Sequence, residues 1–416
     1  MIEVIGVGAD GLAGLAPRLR ERIASADVVI GSERLLAELA EPPSTSTDSP
    51  STPTLERWPS PLRTGIGALL QRHAGRRIVA LASGDPLQAG VATTLIKLLG
   101  EDKVYVHPAI SSVTLARARM NWPAERTVVV RLASSDPKEL TALRRQLYPG
   151  AQIVVLSADR SSPAAVAEEL MRSGFQFTQM VVFGDLGTPH ESRQDTSAEC
   201  FRLDEEVPRL HLICLHVIGP GTPANSLAPG LPDDCYRHDG QLTKRHVRAT
   251  ALAMLEPTPG QLLWDLGAGA GSIAIEWARS HPDCQAVAVE RDPVRAAQIA
   301  VNAEQLGATG VRVVTGDSAA VLDDLPDPIA IFIGGGATPE LISACWQRIG
   351  QGCRMVVHSV TLEGESLLTA CQREFGGELF EIQVSRAEPL GGLSGWKPAR
   401  AIRQWVVRIP LEEYDA

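Results

Sequence analysis

One stretch limits what this chain can fold into: Leu262 to Glu276, read L-L-W-D-L-G-A-G-A-G-S-I-A-I-E. Mostly apolar residues run into an acid, Asp265, and three glycines follow at alternate positions, Gly267, Gly269 and Gly271. Ile273, Ile275, Trp277 and Ala278 then begin a helical pattern. The order predicts a strand, a tight turn and a helix start. Glycines let the backbone bend sharply and let a ligand approach with no Cβ in the way. The free N–H groups of the helix start lie behind them. A second predicted strand, Ala286 to Val289, ends in Glu290. That acid lies about 20 residues past the turn, where doubly wound folds place a carboxylate on ribose hydroxyls. The spacing is G-x-G-x-G, not the G-x-G-x-x-G of dinucleotide folds.

Together these residues resemble the class I S-adenosylmethionine (SAM) methyltransferases. The resemblance makes Asp265, Gly267, Ala268, Gly269, Ala270, Gly271 and Glu290 candidates for holding SAM. A third predicted strand, from Val311, ends in Gly316-Asp317-Ser318. In class I enzymes the acid there typically meets the adenine amino group, so Asp317 and Ser318 join the set. The fourth strand, Ile329 to Ile333, is followed by Gly334-Gly335-Gly336. Enzymes that methylate amino groups carry an Asn/Asp-Pro-Pro-aromatic motif at that place. Three glycines open space for a broad, flat substrate and do not grip an amine.

At 416 residues the chain is expected to hold more than one core. No apolar run reaches the ~18 residues of a membrane span, and the opening M-I-E-V-I-G-V-G reads as a buried strand. A cytoplasmic protein without membrane contact is expected. The net charge of −10 argues against a nucleic-acid footprint. The seven cysteines, all at or after Cys200, form no C-x-x-C pair, so neither zinc nor a redox motif is signalled.

The first half reads as strands ending in small or turn-forming residues. The first strand runs into Gly6-Val7-Gly8, with a helix of about ten residues expected from Ala13 and a strand from Ala26 to Ser32. Pro42 to Pro61, rich in Ser, Thr and Pro, is expected as a mobile surface insertion. Further strands are expected at Arg77–Ala82, Val104–Val106, Thr127–Leu132, Gln152–Leu156, Met180–Phe183 and His211–Ile218. The set Ser83-Gly84-Asp85-Pro86, His107-Pro108-Ala109-Ile110-Ser111-Ser112 and Gly184-Asp185-Leu186-Gly187 with Glu191 is similar to the tetrapyrrole methylases, class III SAM methyltransferases of corrin biosynthesis. Within them it is most similar to the domain that methylates carbon 5. The resemblance covers roughly residues 1–218. It implies SAM folded between two subdomains and contacted by Gly8, Gly84, Asp85, Pro86, Ser111 and Ser112. That family usually carries a serine–histidine–glycine–arginine stretch after the fourth strand, and here the place reads Arg131-Leu132-Ala133-Ser134-Ser135.

Residues 219–232 hold four prolines, three glycines and no charge, and read as a linker. A second domain is expected over 233–416. Its lead-in, D-G-Q-L-T-K-R-H-V-R from Asp239 to Arg248, precedes a helix to Leu255. With the glycine turn it resembles the corrin methyltransferase-decarboxylases that act at carbon 15. Thr243 sits where that family contacts SAM. Near the end, strands are expected at Arg354–Ser359, Leu379–Arg386 and Ala401–Ile409. A long turn, Gly391 to Pro398, is expected before the last, forming a hairpin insertion that can arch over a substrate, with Trp396 either packed or free to stack on a macrocycle.

The expected fold is therefore α/β, a two-subdomain tetrapyrrole-methylase fold followed by a Rossmann-like class I domain. The pair resembles the decarboxylating corrin C-methyltransferases of the cobalamin pathway. The resemblance implies methylation of a precorrin at carbons 5 and 15 and decarboxylation of the carbon-12 acetate, with one SAM per domain and no metal. Lys244, Arg248 and Lys397 are candidates for meeting substrate carboxylates; no catalytic nucleophile or base is legible. A homo-oligomer without nucleic-acid or membrane partners is expected. The rival is a nucleic-acid or protein methyltransferase with a non-catalytic first domain. Net charge, the triple glycine and the doubled SAM motifs oppose it.

Overall fold

The computed structural model describes residues 1–40, 53–134, 140–202 and 207–410. The chain divides into two compact units, Met1–Pro220 and Gly221–Ala416. Among the described residues no helix is long and apolar enough to cross a membrane.

The first unit contains two five-stranded sheets. One is built from β1 (Ile2–Val7), β2 (Val28–Gly31), β3 (Thr54–Arg57), β4 (Ile78–Ser83) and β5 (Val104–His107), all parallel in the order β3-β2-β4-β1-β5. β1, β2 and β4 are almost wholly buried, as unbroken apolar runs must be when both faces of a parallel sheet are covered. The second sheet holds β6 (Thr127–Arg131), β7 (Gln152–Leu156), β8 (Gln179–Gly184), β9 (Ser192–Ser197) and β10 (His211–His216) in the order β6-β7-β10-β8-β9. Only β6 and β7 pair in parallel there.

Several expectations are corrected. The first helix is Pro17–Ala24, not a helix from Ala13; a 3-10 turn, Gly11–Gly14, precedes it, and Pro17 takes the first-turn place where no N–H is needed. Part of the expected insertion is ordered: Thr54–Arg57 pairs with β2, Leu55 opposite Val29. Residues 41–52 lie outside the described residues. β9, S-R-Q-D-T-S, was not expected, because a polar edge strand shows no apolar alternation.

The second unit is a seven-stranded sheet. Its strands are β11 (Leu262–Leu266), β12 (Gln285–Glu290), β13 (Val311–Thr315), β14 (Ala330–Ile333), β15 (Arg354–Ser359), β16 (Glu378–Ile382) and β19 (Ile402–Arg408). Their order is β13-β12-β11-β14-β15-β19-β16, the first five parallel and β19 antiparallel to both neighbours. Alternate residues of β11 feed opposite cores, Trp264 and Leu266 on one face and Leu263 on the other. The expected hairpin insertion is present, but most of Gly391 to Pro398 is strand and not turn: β17 (Ser385–Leu390) pairs with β18 (Leu393–Pro398), closed by Gly391-Gly392. Of the stretch expected as a linker, Leu231 is buried in the second unit beside Tyr236 and Ile275.

Candidate functional site

In the first unit, the ends of β1 and β4 and the loop after β5 meet the second sheet around a cavity of about 250 Å³. Gly8, Gly84, Asp85, Ser111 and Ser112 line it, with Leu156, Phe183 and Leu212 as an apolar wall. Pro86 stands next to Asp85 without lining the cavity. The loops approach closely: a Cβ on Gly6 would fall 2.6 Å from the Gly84 carbonyl oxygen and 2.9 Å from the Ala109 nitrogen. Asp85 Oδ1 accepts the Leu87 N–H at 2.9 Å, and the Ser111 hydroxyl caps the helix Ser112–Met120 by accepting from Thr114 N. Glu191 ties the Gly184–Gly187 loop to that helix, accepting from Arg119 Nε at 2.6 Å and Gly187 N at 2.8 Å. Arg131 to Ser134 do not line the cavity, and Ser135 lies outside the described residues.

His211 was not singled out from sequence, yet it lines this cavity. Its Nδ1 lies 2.8 Å from the Pro208 carbonyl, which only accepts, so Nδ1 carries the proton and Nε2 is an acceptor. Nε2 is buried and has no hydrogen-bond partner among the described residues. Burial holds the ring pKa below its ordinary value. The sequence signal was weak: one His opening an apolar strand.

In the second unit, the strand order reverses between the parallel neighbours β11 and β14, where open α/β sheets bind ligands at their carboxyl ends. Gly267, Gly269 and Gly271 all adopt left-handed φ, +73°, +58° and +75°, which side chains disfavour. The turn is braced from β12: Gly267 N and Ala268 N donate to Val289 O, and Gly269 N donates to Glu290 Oε2 at 2.8 Å. Glu290 Oε1 accepts from Asp292 N, which leaves each carboxylate oxygen capacity for one more donor. Asp317, beyond β13, caps the short helix that Ser318 opens by accepting from Ala319 N at 3.0 Å. Among the described residues nothing lies within 4 Å of a Cβ built on Gly335 or Gly336, so the space around those two glycines is open.

Asp265 sits beneath the turn, 1% exposed, accepting the Ala274 N–H at 3.0 Å. Burial pushes its carboxyl up to about 7. It braces the helix start from beneath the turn. The lead-in crosses the turn: a Cβ on Gly269 would lie 3.0 Å from the Gln241 carbonyl oxygen. Thr243 is half-buried, with its carbonyl bound to Arg248.

The three substrate-contact candidates separate. Lys244 is exposed, 3.8 Å from Asp233 Oδ2. Lys397 is exposed on β18, 2.8 Å from Glu388 Oε2, beside Trp396, which is 78% exposed and so free to stack. Arg248 does not fit its expected role. It is 0% exposed, and its guanidinium is spent on Glu276, Asp233 and the carbonyls of Leu231 and Thr243.

These glycine cradles, with Asp85 beyond β4 in one unit and Glu290 and Asp317 at the ends of β12 and β13 in the other, suit a nucleoside-bearing methyl donor. Comparison with known proteins agrees. The family described as tetrapyrrole (corrin/porphyrin) methylases matches residues 1–199, and that described as a precorrin methyltransferase domain matches residues 234–409. A precorrin-6Y C(5,15)-methyltransferase [decarboxylating] of Mycobacterium tuberculosis (strain CDC 1551 / Oshkosh) is 42% identical over 411 residues, 98% of this chain and 99% of the relative. One from Sinorhizobium sp is 39% identical over 406 residues, 97% and 95%. The crystal structure of the C-terminal domain of precorrin-6Y C5,15-methyltransferase from Rhodobacter capsulatus matches at 41% identity, covering 44% of this chain and 98% of that one, with a TM-score of 0.42.

Proposed function

Because the chain belongs to the precorrin-6Y C(5,15)-methyltransferase (decarboxylating) family, we propose that it transfers two methyl groups from SAM to a precorrin and decarboxylates an acetate side chain of that ring. The first unit takes carbon 5. The second takes carbon 15 and the carbon-12 acetate. Each unit holds its own SAM, and the work is done in the cytoplasm. The observation that carries this reading is the pairing on one chain of a strand-end cavity and a left-handed glycine turn at a reversal of strand order.

SAM supplies an electrophilic methyl on a sulfonium sulfur, which an electron-rich meso carbon of the ring can take directly. The protein's task is then alignment, which can lower a barrier by ~7–11 kcal/mol. In the first unit the loops at Gly84 and Ser111 hold one partner against the wall of Leu156, Phe183 and Leu212. His211 Nε2, an unprotonated acceptor in that cavity, is placed to take a hydrogen bond. In the second unit Glu290 and the backbone of the turn offer a carboxylate and N–H groups, and the exposed Trp396 and Lys397 offer a stacking face and a cation. The released electrons of the decarboxylation pass into the ring's own π system, so the reaction as proposed needs neither a metal nor a covalent adduct.

The test uses the full chain with one site disturbed at a time. Gly84→Val puts a branched side chain at φ +65° in the first cavity, and Gly269→Val does the same at φ +58° in the second. Mass spectrometry of the product should show loss of the carbon-5 methyl alone in the first variant. The second should lose the carbon-15 methyl together with carbon dioxide release. Both methyls surviving in G84V would make the first unit a scaffold.

A further inference from the structure

We propose that Arg248 and Glu276 are positioning residues that hold residues 230–244 as a fixed strap against the glycine turn, so that one side of the second unit's donor pocket is set before the donor arrives. The inference rests on the two-donor reading above and assigns Arg248 a place in it that substrate contact does not.

Glu276 lies in the helix Ser272–Ser280, which the glycine turn leads into. Its buried carboxylate accepts from Gly230 N at 2.5 Å, Leu231 N at 3.0 Å, the Tyr236 hydroxyl at 2.8 Å and Arg248 Nε at 2.6 Å. Three of these donors meet Oε1 and one meets Oε2, so both carboxylate oxygens are engaged. Arg248 spends three further N–H groups on the carbonyls of Leu231 and Thr243 and on Asp233 Oδ1 at 3.3 Å. One ion pair thus fixes the strap at 230–231, 233, 236 and 243. A second anchor is Asn302, fully buried, which accepts from Arg237 N at 2.9 Å and donates to Arg237 O and to Ala270 O in the turn itself.

Leu231 and Tyr236 pack in the second unit's core and Arg295 Nε donates to Asp239 Oδ2 at 2.8 Å, but the middle of the strap has little else to hold it. From Arg237 to Gln241 every residue is exposed, and Leu242 is only half-buried. A segment with so few apolar contacts opens readily unless polar ties restrain it. A buried ion pair adds little net stability over apolar packing of the same volume. What this pair does supply is geometry: the Gln241 carbonyl rests against Gly269, and Thr243 is held by its own carbonyl. Ordering the strap during folding removes that entropy cost from donor binding.

Calorimetry of the full chain with SAM tests this, using Arg248→Lys and Asn302→Ala. Lysine keeps the charge beside Glu276 but lacks the guanidinium fork that spans Leu231 and Thr243. The parent should take up two SAM per chain. In each variant one site should weaken on the order of tenfold or more, as misplaced positioning groups do, while the other keeps its affinity. Amides at 237–244 should exchange faster. Two sites of parental affinity in folded variants would overturn the inference, even with a lower melting temperature, and leave the two-donor reading standing. If R248K does not fold, N302A decides alone. One SAM per parent chain would overturn the two-donor reading itself, and the inference with it.

Discussion

Replacing Asp265 by Asn should stabilise the second unit at alkaline pH and do much less in acid. Asp265 is wholly enclosed beneath the glycine turn, and burial raises its carboxyl from 3.8 to about 7; the Ala274 N–H opposes that rise and Glu290 adds to it. In the unfolded chain the group titrates near 3.8. Between those values the folded state keeps a proton that the unfolded state has released. The stability tied to that proton is therefore complete below pH ~4 and is lost as pH rises through ~7. Roughly three pH units at 1.36 kcal/mol each make the full loss about 4 kcal/mol. Asparagine keeps an oxygen for Ala274 and never carries the charge. Urea unfolding followed by tryptophan emission reads this unit well, since Trp264, Trp277 and Trp405 are all in its cores. The advantage of D265N over the parent should be about 3 kcal/mol larger at pH 8 than at pH 5. An advantage of the same size at both pH values would refute the reasoning, because a group that stays ionised or stays protonated in the fold gives no such slope.

Glu169→Ala should destabilise the first unit by about 3–5 kcal/mol, because it removes a wholly buried carboxylate that pairs with Arg144 and Arg172; thermal unfolding reads this, and a loss below about 1 kcal/mol would count against it. Burial pushes the Glu169 carboxyl up, but Arg144 and then Arg172 outweigh burial and hold it below its usual 4.5. The stability it contributes is present above pH ~4.5 and is lost as pH falls through the lowered value, a slope that Glu169→Gln should flatten. Trp396→Ala combined with Lys397→Ala should raise KM for the precorrin and leave KM for SAM and the melting temperature unchanged. A parallel rise in both KM values would place the hairpin elsewhere. Prolonged dialysis against EDTA should leave both methylations and the decarboxylation intact, and activity restored only by added zinc would contradict the metal-free chemistry.

Long apolar strands and their small-residue ends were legible in the sequence. β11 and its glycine turn, and the strand ends at Gly84 and Ser111, carry their geometry in local residue choice, because left-handed φ and tight loops admit few side chains. The polar edge strand β9 and the bounds of the exposed hairpin strands were not legible. β9 has no apolar face, and the β17–β18 hairpin gains nothing from burial, with Leu390, Leu393 and Trp396 all exposed. Arg248 was misread because a cation beside a ligand turn invites a substrate contact. Its spacing held the correction: Arg248, Ala251, Leu252 and Leu255 fall at i, i+3, i+4 and i+7, one buried stripe of the helix Arg245–Leu255. The partner, Glu276, lies in another helix, and no local pattern names a contact across 28 positions.

In each unit the strand that comes last in sequence enters the middle of a sheet: β10 between β7 and β8, and β19 between β15 and β16. A nascent chain on the ribosome cannot complete either sheet until that strand has emerged. The first unit can close once residue 216 is clear of the exit tunnel, whereas the second must wait for residues 402–408 with two bare edges open. Premature termination just before Ile402 would therefore leave a half-made sheet primed to pair with its neighbours in the cell and precipitate.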